Sequence, residues 1–340
     1  MKRAVIILIS LSAILMACRN DSGDHAARQA EEVYVGPEAR HYLANLLDTL
    51  QRHSVRRDSI DWDRLRADVL HQAQGAETPA ETYDAVRFAL QQLGNRHSFF
   101  MTPEHAEAMW EGGMRKYLAP TGDLLDGNVG YIVQRTFMVT DSLEAVRYAS
   151  ALQQLIEEID GQHPCGWIVD LRGNSGGNMW AMLVGLGPLI GEGRAGMVVD
   201  ADGDATGWYY TDGEARLDTT ILAAMEGDAY RLKQASAPIA VLTGPMTGSS
   251  GEAMAVAFRG RPNTRSFGQP TSGASSGNKG FRLSDGAAIA LTVSLFADRH
   301  GRVYGGRIEP DTLVEGDPTG VLDPVKEAAA AWLQRRPACR

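Results

Sequence analysis

The sequence of 340 residues has few features suited to a metal, a nucleic acid or a membrane span. It holds three cysteines and eight histidines, without an HExxH motif, a paired CxxC or a complete EF-hand loop, so we expect neither a bound metal nor a cofactor. The formal net charge of −9 disfavours binding to nucleic acid or general adhesion to an anionic membrane. The apolar stretch 4–16 has 13 residues, too few for a comfortable transmembrane helix.

The run 200–204, of sequence DADGD, comes nearest to a cation-binding motif. Its alternating aspartates resemble the start of a calcium loop, but the glutamate that closes such a loop at its twelfth position is missing. We therefore expect a solvated turn here.

The N-terminus predicts export and a lipid anchor. The basic pair Lys2-Arg3 precedes the apolar stretch, which ends in Leu15-Met16-Ala17-Cys18 and resembles a bacterial lipobox. We expect residues 1–17 to be a lipoprotein signal peptide, Cys18 to carry lipid, and residues 18–35 to be a flexible tether. The enzyme or binding protein would then face the periplasm or exterior of a bacterial cell envelope and touch the membrane only through its anchor. An ordinary secretory signal is the alternative.

Two cysteines remain if Cys18 is lipidated, namely Cys165 and Cys339. Both would meet an oxidising compartment after export, where a disulfide can form. Their separation in space does not follow from the sequence, so both the paired and the free state stay open.

The chain divides into two regions by pattern. Residues 36–118 are helix-like, whereas residues 127–335 mix strands and helices, which indicates an α/β core with a mixed sheet. The predicted helices are 38–52, 62–74, 80–93, 103–115, 143–159, 179–186, 253–259 and 325–334, and the predicted strands are 129–133, 167–171, 239–242 and 287–297.

The segment 238–259, PIAVLTGPMTGSSGEAMAVAFR, is the most informative in the sequence. A buried strand runs into a glycine-containing turn that opens a helix, so Ser249 and Ser250 fall at a helix N-terminus. Free backbone N–H groups and the positive end of the helix dipole gather there, and both stabilise a developing oxyanion. A serine at this point can be a nucleophile. The alternative is a plain N-cap, since Ser249 and Glu252 also fit a capping box.

A second turn follows a second buried strand, in the segment 166–178, GWIVDLRGNSGGN. Gly176 and Gly177 allow the backbone to come close to a ligand, and the two turns could meet in one crevice at the ends of neighbouring strands. The same turn matches G-x-S-x-G, the nucleophile elbow of esterases, around Ser175. That alternative needs a histidine downstream, and the only one is His300, in a polar turn.

His97 is the candidate base. It lies in a short connector, LGNRHSFF, between a predicted helix and an apolar run, where a side chain can be held rigidly at a cleft. An imidazole with the usual pKa near ~6.5 would make activity rise through about pH 6–7. A plain surface or core histidine is the alternative.

Four segments in order resemble the C-terminal processing, or tail-specific, serine peptidases: LGNRHS, DLRGNSGG, TGSSGE and FGQPTSG. The resemblance covers roughly residues 80–315 and is closest to the nisin-resistance-like branch, which uses histidine as base. It implies a Clp protease/crotonase-like spiral β core with an N-terminal helical cap. Only about 30 residues separate His97 from the first core strand, too few for the PDZ domain that many members carry.

The resemblance also implies roles for residues. Ser249 would be the nucleophile and His97 the general base, with Glu252, or Glu309 behind it, orienting the histidine. The amides of Gly176, Gly177 and Ser250 would form the oxyanion hole, with Asn174 beside them at the substrate. Many relatives use a lysine base instead, but Ala274 stands at its offset and the nearest lysine is Lys279.

The implied function is that of a serine endopeptidase which cleaves peptides or unfolded C-terminal tails through an acyl-enzyme on Ser249. Two alternatives stay open: an esterase that uses Ser175, and a member of the same fold that binds ligands without catalysis.

Overall fold

A computed structural model describes residues 33–111, 117–316 and 322–339. The predicted signal peptide and the lipid site Cys18 lie outside these residues. No helix within them is long and apolar enough to cross a membrane.

Eight helices and thirteen strands are present in the described residues. The helices are α1 (Pro37–His53), α2 (Trp62–Gln72), α3 (Tyr83–Gln92), α4 (Pro103–Glu111), α5 (Ser142–Asp160), α6 (Met179–Ile190), α7 (Ser250–Phe258) and α8 (Pro324–Gln334). The strands are β1 (Phe99–Met101), β2 (Thr121–Leu125), β3 (Val129–Val133), β4 (Gly166–Asp170), β5 (Gly193–Val199), β6 (Ala205–Thr211), β7 (Glu214–Leu217), β8 (Thr220–Ala224), β9 (Ile239–Thr243), β10 (Thr264–Gly268), β11 (Ser276–Arg282), β12 (Ala288–Asp298) and β13 (Thr312–Leu313).

The N-terminal helices pack on one another and then on a sheet. Proline at the start of α1 suits a first helical turn, and the carboxylate of Asp61 accepts from the N–H of Arg64 to cap α2. Their leucines share one hydrophobic cluster with Ile289 and Leu291 of β12. Val35, at the end of the expected tether, is buried in the same cluster, so the chain is already packed before α1 begins.

The core contains two sheets rather than one. The first has the order β13-β10-β9-β4-β3-β2 and is parallel except for β2. The second is antiparallel, of order β1-β12-β5-β6-β7-β8 with β11 also paired to β12. β4 and β9 are neighbours in the parallel sheet, so the turns that follow them leave the same edge.

Helix α8 is tied to this sheet at both ends. Cys165, just before β4, and Cys339 form a disulfide with Cα atoms 4.8 Å apart, which settles the pairing that the sequence left open. At the other end, the buried guanidinium of Arg172 bridges the carboxylates of Asp170 and Asp323, at 2.6 and 2.7 Å. Asp323 is also the N-cap of α8. Arg172 begins the first of the two glycine turns, so the ion pairs join that turn to α8.

Candidate active site

The two glycine turns predicted from sequence lie against each other. Thr247 Oγ1 donates to the carbonyl of Leu171 at 2.9 Å, and the N–H of Gly248 donates to the carbonyl of Asn174 at 3.0 Å. The hydroxyl of Ser250 donates to the carbonyl of Gly177. These contacts form one crevice at the carboxyl ends of β4 and β9, the usual place for ligands in a parallel sheet.

Ser249 adopts an unusual backbone conformation, with φ 51° and ψ −117°. A positive φ is costly for a residue with a side chain, whereas an ordinary N-cap has extended, negative-φ geometry. The capping box expected between Ser249 and Glu252 is present, but such a box does not require a positive φ. A strained turn from strand to helix is the arrangement that exposes a nucleophilic serine in hydrolases.

Gly176 and Gly177 are both required by their surroundings. Each has a φ of +123°, a region that side chains rarely adopt. A Cβ on Gly176 would lie 2.8 Å from Cβ of Ser249, and one on Gly177 would lie 2.0 Å from the carbonyl oxygen of Phe137. The turn thus brings bare backbone to the serine.

Only some of the expected oxyanion donors are free. The N–H of Gly176 donates to Asn174 Oδ1 at 3.0 Å. In the described part of the chain the N–H groups of Gly177 and Ser250 have no hydrogen-bond partner, and both residues line the cleft described below. These two amides are therefore available as donors, and stabilisation of an oxyanion requires such donors.

Asn174 supports the turn from beneath. It is fully buried, its Nδ2 donates to Gln134 Oε1 at 3.1 Å, and it is absent from the cleft wall. The expected contact with substrate is therefore replaced by a structural contact: Asn174 holds the N–H of Gly176.

His97 and Ser249 line the same cleft, although they lie far apart in the sequence. The loop that carries His97 is pinned on two sides: Asn278 Nδ2 donates to its carbonyl at 2.6 Å, and its N–H donates to Asn95 Oδ1 at 3.2 Å. Burial lowers the pKa of His97 to about 4, so its imidazole is neutral at physiological pH and able to accept a proton.

Ser276 is the side-chain partner of His97. Its Oγ lies 2.9 Å from His97 Nδ1, and Ser276 itself is buried at the start of β11. When Nδ1 carries the hydrogen, it donates to Ser276 and leaves a lone pair on Nε2. Sequence reasoning missed this residue because no motif marks it and because strand β11, which brings it to His97, was not predicted.

No hydrogen bond joins Ser249 to His97 among the residues that the structure describes. Catalytic hydrogen bonds are often long without substrate and tighten in the complex with it. Both side chains face the same cleft, and the structure shows no direct contact between them.

The carboxylates expected behind His97 point elsewhere. Glu252 is fully buried, accepts from the N–H groups of Ser249 and Gly273 at 3.0 Å each, and also accepts from the hydroxyl of Thr271. Burial raises the pKa of Glu252, against the opposing effect of these hydrogen bonds. Glu309 is exposed and its carbonyl accepts from Arg259. Glu252 thus braces the Ser249 turn, and neither carboxylate contacts the histidine.

The residues of the alternative mechanisms are less well placed. Ser175 also lines the cleft, but it is exposed and has no positive φ, and its Oγ lies 2.9 Å from Thr136 Oγ1. Lys279 lies at the cleft wall, exposed, with its Nζ over the ring of Phe281. His300 contacts the carbonyl of Gly260 at 3.2 Å and is absent from the cleft wall.

The cleft has a volume of about 1230 Å³ and runs between the N-terminal helices and the core. Its wall is largely apolar, with methionines and aromatic rings that include Met101, Met138, Met179, Trp180 and Phe296. A cleft of this size exceeds the usual range for a small-molecule site and has room for several residues of an extended polypeptide. No cluster of three or more metal-ligating side chains occurs within residues 33–111, 117–316 and 322–339.

Comparison with known proteins gives consistent matches. The model of peptidase family S41 matches residues 128–314. The nisin-resistance protein of Lactococcus lactis subsp. lactis is 29% identical over 293 residues, which cover 86% of this chain and 88% of the relative.

Two solved structures share the fold over most of the chain. A lipoprotein from Streptococcus agalactiae superposes with a TM-score of 0.70 at 25% identity, covering 88% of this chain and 98% of that one. A photosystem II D1 C-terminal processing protease superposes with a TM-score of 0.60 at 17% identity, over the same two shares of the chains. The fold expected from the sequence resemblance is thereby confirmed.

Proposed function

Because this chain belongs to peptidase family S41, we propose that it is a serine endopeptidase whose nucleophile is Ser249 and whose general base is His97. The observation that carries the proposal is the positive φ of Ser249 beside two free backbone amides. Such a backbone is expensive to maintain and is found where strain serves the chemistry.

The proposed reaction begins when His97 Nε2 accepts the proton of the Ser249 hydroxyl as Oγ attacks a peptide carbonyl. The N–H groups of Gly177 and Ser250 donate to the oxyanion of the tetrahedral intermediate. His97 then gives its proton to the leaving amine, and the acyl-enzyme on Ser249 is hydrolysed by water that His97 activates in the same way.

The supporting residues have roles of their own in this proposal. Ser276 orients the imidazole in place of a carboxylate. Glu252 and Asn174 hold the two turns, through the N–H groups of Ser249 and Gly176.

The substrate in this proposal is a peptide or an unfolded C-terminal tail with apolar side chains. The cleft wall supports this, since most of its exposed surface is apolar. The relative from Lactococcus is named for nisin resistance, so nisin belongs among the first substrates to test.

We also propose that the enzyme is a lipoprotein of a bacterial cell envelope, anchored through Cys18. The lipobox in the sequence, the likeness to a streptococcal lipoprotein and the disulfide support this placement, because disulfides persist in oxidising compartments outside the cytosol.

A fluorophosphonate probe tests the nucleophile directly. We expect covalent labelling of the wild type, mapped to Ser249 by mass spectrometry, and loss of labelling and of cleavage of an unfolded protein in Ser249→Ala. Ser175→Ala is the matched control and should keep both. Labelling that is lost in Ser175→Ala instead would indicate the esterase, and a folded wild type that neither labels nor cleaves would indicate a ligand-binding protein.

A further inference from the structure

A second cavity, which we call the arginine cavity, lies away from the active-site cleft and shares no wall residue with it. It measures about 540 Å³ and follows β10 between the end of α7 and the end of α8. Its charged wall residues are Arg259, Arg261, Arg265, Arg336 and a single carboxylate, Asp311.

The charges in the arginine cavity do not balance. Asp311 is committed to Arg259, at 2.6 Å, and to the N–H and hydroxyl of Ser266. Four guanidinium groups against one carboxylate leave a net charge of +3 on its wall, in a chain whose formal net charge is −9. Such a concentration of positive charge favours the binding of an anion.

Arg261 is buried without a carboxylate partner. Its guanidinium donates only to neutral oxygens: the carbonyls of Ala235, Ala237 and Pro262 and the hydroxyl of Thr264. Burial, with a smaller effect from the nearby Arg299, lowers its pKa to about 10. A buried cation that lacks an opposite charge is costly, and an anion in the cavity would reduce that cost.

Arg336 and Arg265 offer the donors that an anion needs. Arg336 stacks on Trp332, with its Cζ 4.2 Å from the ring centre, and its buried Nε has no partner among the described residues. Arg265 donates from Nε to Thr312 Oγ1 at 2.8 Å. Its Nη1 has no hydrogen-bond partner among the residues that the structure describes. Planar guanidinium groups match the spacing of phosphate oxygens.

We propose that the arginine cavity binds a phosphate group. A volume of about 540 Å³ falls in the range of small-molecule sites and exceeds the needs of inorganic phosphate alone. The group therefore belongs either to a phosphorylated solute or to a phospholipid headgroup, which share this chemistry.

Calorimetric titration with inorganic phosphate at constant ionic strength tests the site in the full chain. We expect saturable binding by the wild type and binding weaker by about tenfold or more in the double variant Arg265→Gln/Arg336→Gln. Arg302→Gln is the matched control, because Arg302 also stacks on an aromatic ring, Tyr304, outside the cavity. Arg261 is left intact because it holds three loop carbonyls, and thermal unfolding verifies that each variant is folded.

Vesicle sedimentation separates the two sources. A headgroup site predicts that phosphatidylcholine vesicles containing phosphatidylglycerol retain the wild type better than the double variant, while the lipid anchor contributes equally to both proteins. If the ligand is a solute, the vesicles should retain the wild type and the double variant equally, while inorganic phosphate still binds more tightly to the wild type. The proposal is overturned if the variants bind phosphate like the wild type, or if phosphate does not bind and vesicles retain all proteins equally.

Discussion

Nδ1 of His97 lies 2.9 Å from Oγ of Ser276, a residue 179 positions further along the chain. The hydroxyl occupies the place that a carboxylate holds behind the histidine of a Ser-His-Asp triad. It is neutral, so it can orient the ring without favouring the imidazolium. This agrees with a histidine whose pKa is lowered by burial and not raised by a neighbouring anion.

Replacing Ser276 with alanine should lower kcat by about two- to tenfold and leave KM nearly unchanged, because one neutral hydrogen bond contributes roughly 0.5–1.5 kcal/mol. Steady-state kinetics on an unfolded substrate measures both constants. Ser276→Thr keeps the hydroxyl and should restore most of the rate. Ser275→Ala is the control, since Ser275 is also buried but contacts the carbonyl of Gly306. Equal losses in both alanine variants would contradict a positioning role.

The pH dependence of kcat/KM should show an acidic limb well below the usual histidine range. The base must be unprotonated, and the pKa of His97 in the free enzyme is about 4. As the pH is lowered, kcat/KM should therefore not change at the ordinary histidine pKa of ~6.5 and should fall only near pH 4. Tryptophan fluorescence at each pH verifies that the protein remains folded. An inflection at or above the usual value would refute the buried, neutral state of His97.

Gly176→Ala should reduce kcat strongly, because the new methyl group would push against Cβ of Ser249 from 2.8 Å. Gly203→Ala is the control: it also has a positive φ, of +85°, but open space around it. Both variants should lose about 1 kcal/mol of stability from the positive φ, which thermal unfolding measures. Only Gly176→Ala also meets Ser249, so only that variant should lose activity. Comparable activity in the two would argue against the close approach at Ser249.

Removing the disulfide with Cys165→Ser/Cys339→Ser should lower the free energy of unfolding by about 2–5 kcal/mol, because the bond closes a long loop across a sequence separation of 174 residues. Urea unfolding with and without reductant measures the effect. Reductant should destabilise the wild type and leave the double variant unchanged. A wild type insensitive to reductant would speak against the bond.

Cys18→Ser should prevent lipid attachment and leave the signal peptide uncleaved by the lipoprotein signal peptidase, since the thiol is the acceptor of the lipid. Mass spectrometry of the membrane fraction detects the fatty acids on the wild type and the precursor mass of the variant. A wild-type protein that begins after Cys18 and is released in soluble form would point to an ordinary secretory signal.

The sequence predicted the elements that have strong apolar periodicity. Helices α1, α2 and α5 and strands β3, β4 and β9 begin and end within two residues of the expected positions. Strands β6, β7, β8 and β11 were not predicted, because none of them is a continuous run of buried apolar residues. Their pairing in the antiparallel sheet, and not their own composition, makes them strands.

The site was predictable as far as local geometry determines it. The candidate residues Ser249 and Ser250 were predicted from the passage of β9 into α7, and Gly177 from the passage of β4 into α6, both of which are short-range patterns. The partner of His97 depends on contacts between segments far apart in the sequence, so the motif suggested Glu252 where the fold supplies Ser276. Asn174 was misread for the same reason, since its burial depends on Gln134 beneath it.

The two halves of the proposed catalytic pair come from different parts of the chain. His97 follows the N-terminal helices, whereas Ser249 lies in the turn between β9 and α7. The N-terminal helices pack against Ile289 and Leu291 of β12. A chain divided at Leu118 would yield one fragment with the base and another with the nucleophile. If the proposed pair is catalytic, neither fragment should cleave a substrate alone, and cleavage should require the association of the two fragments.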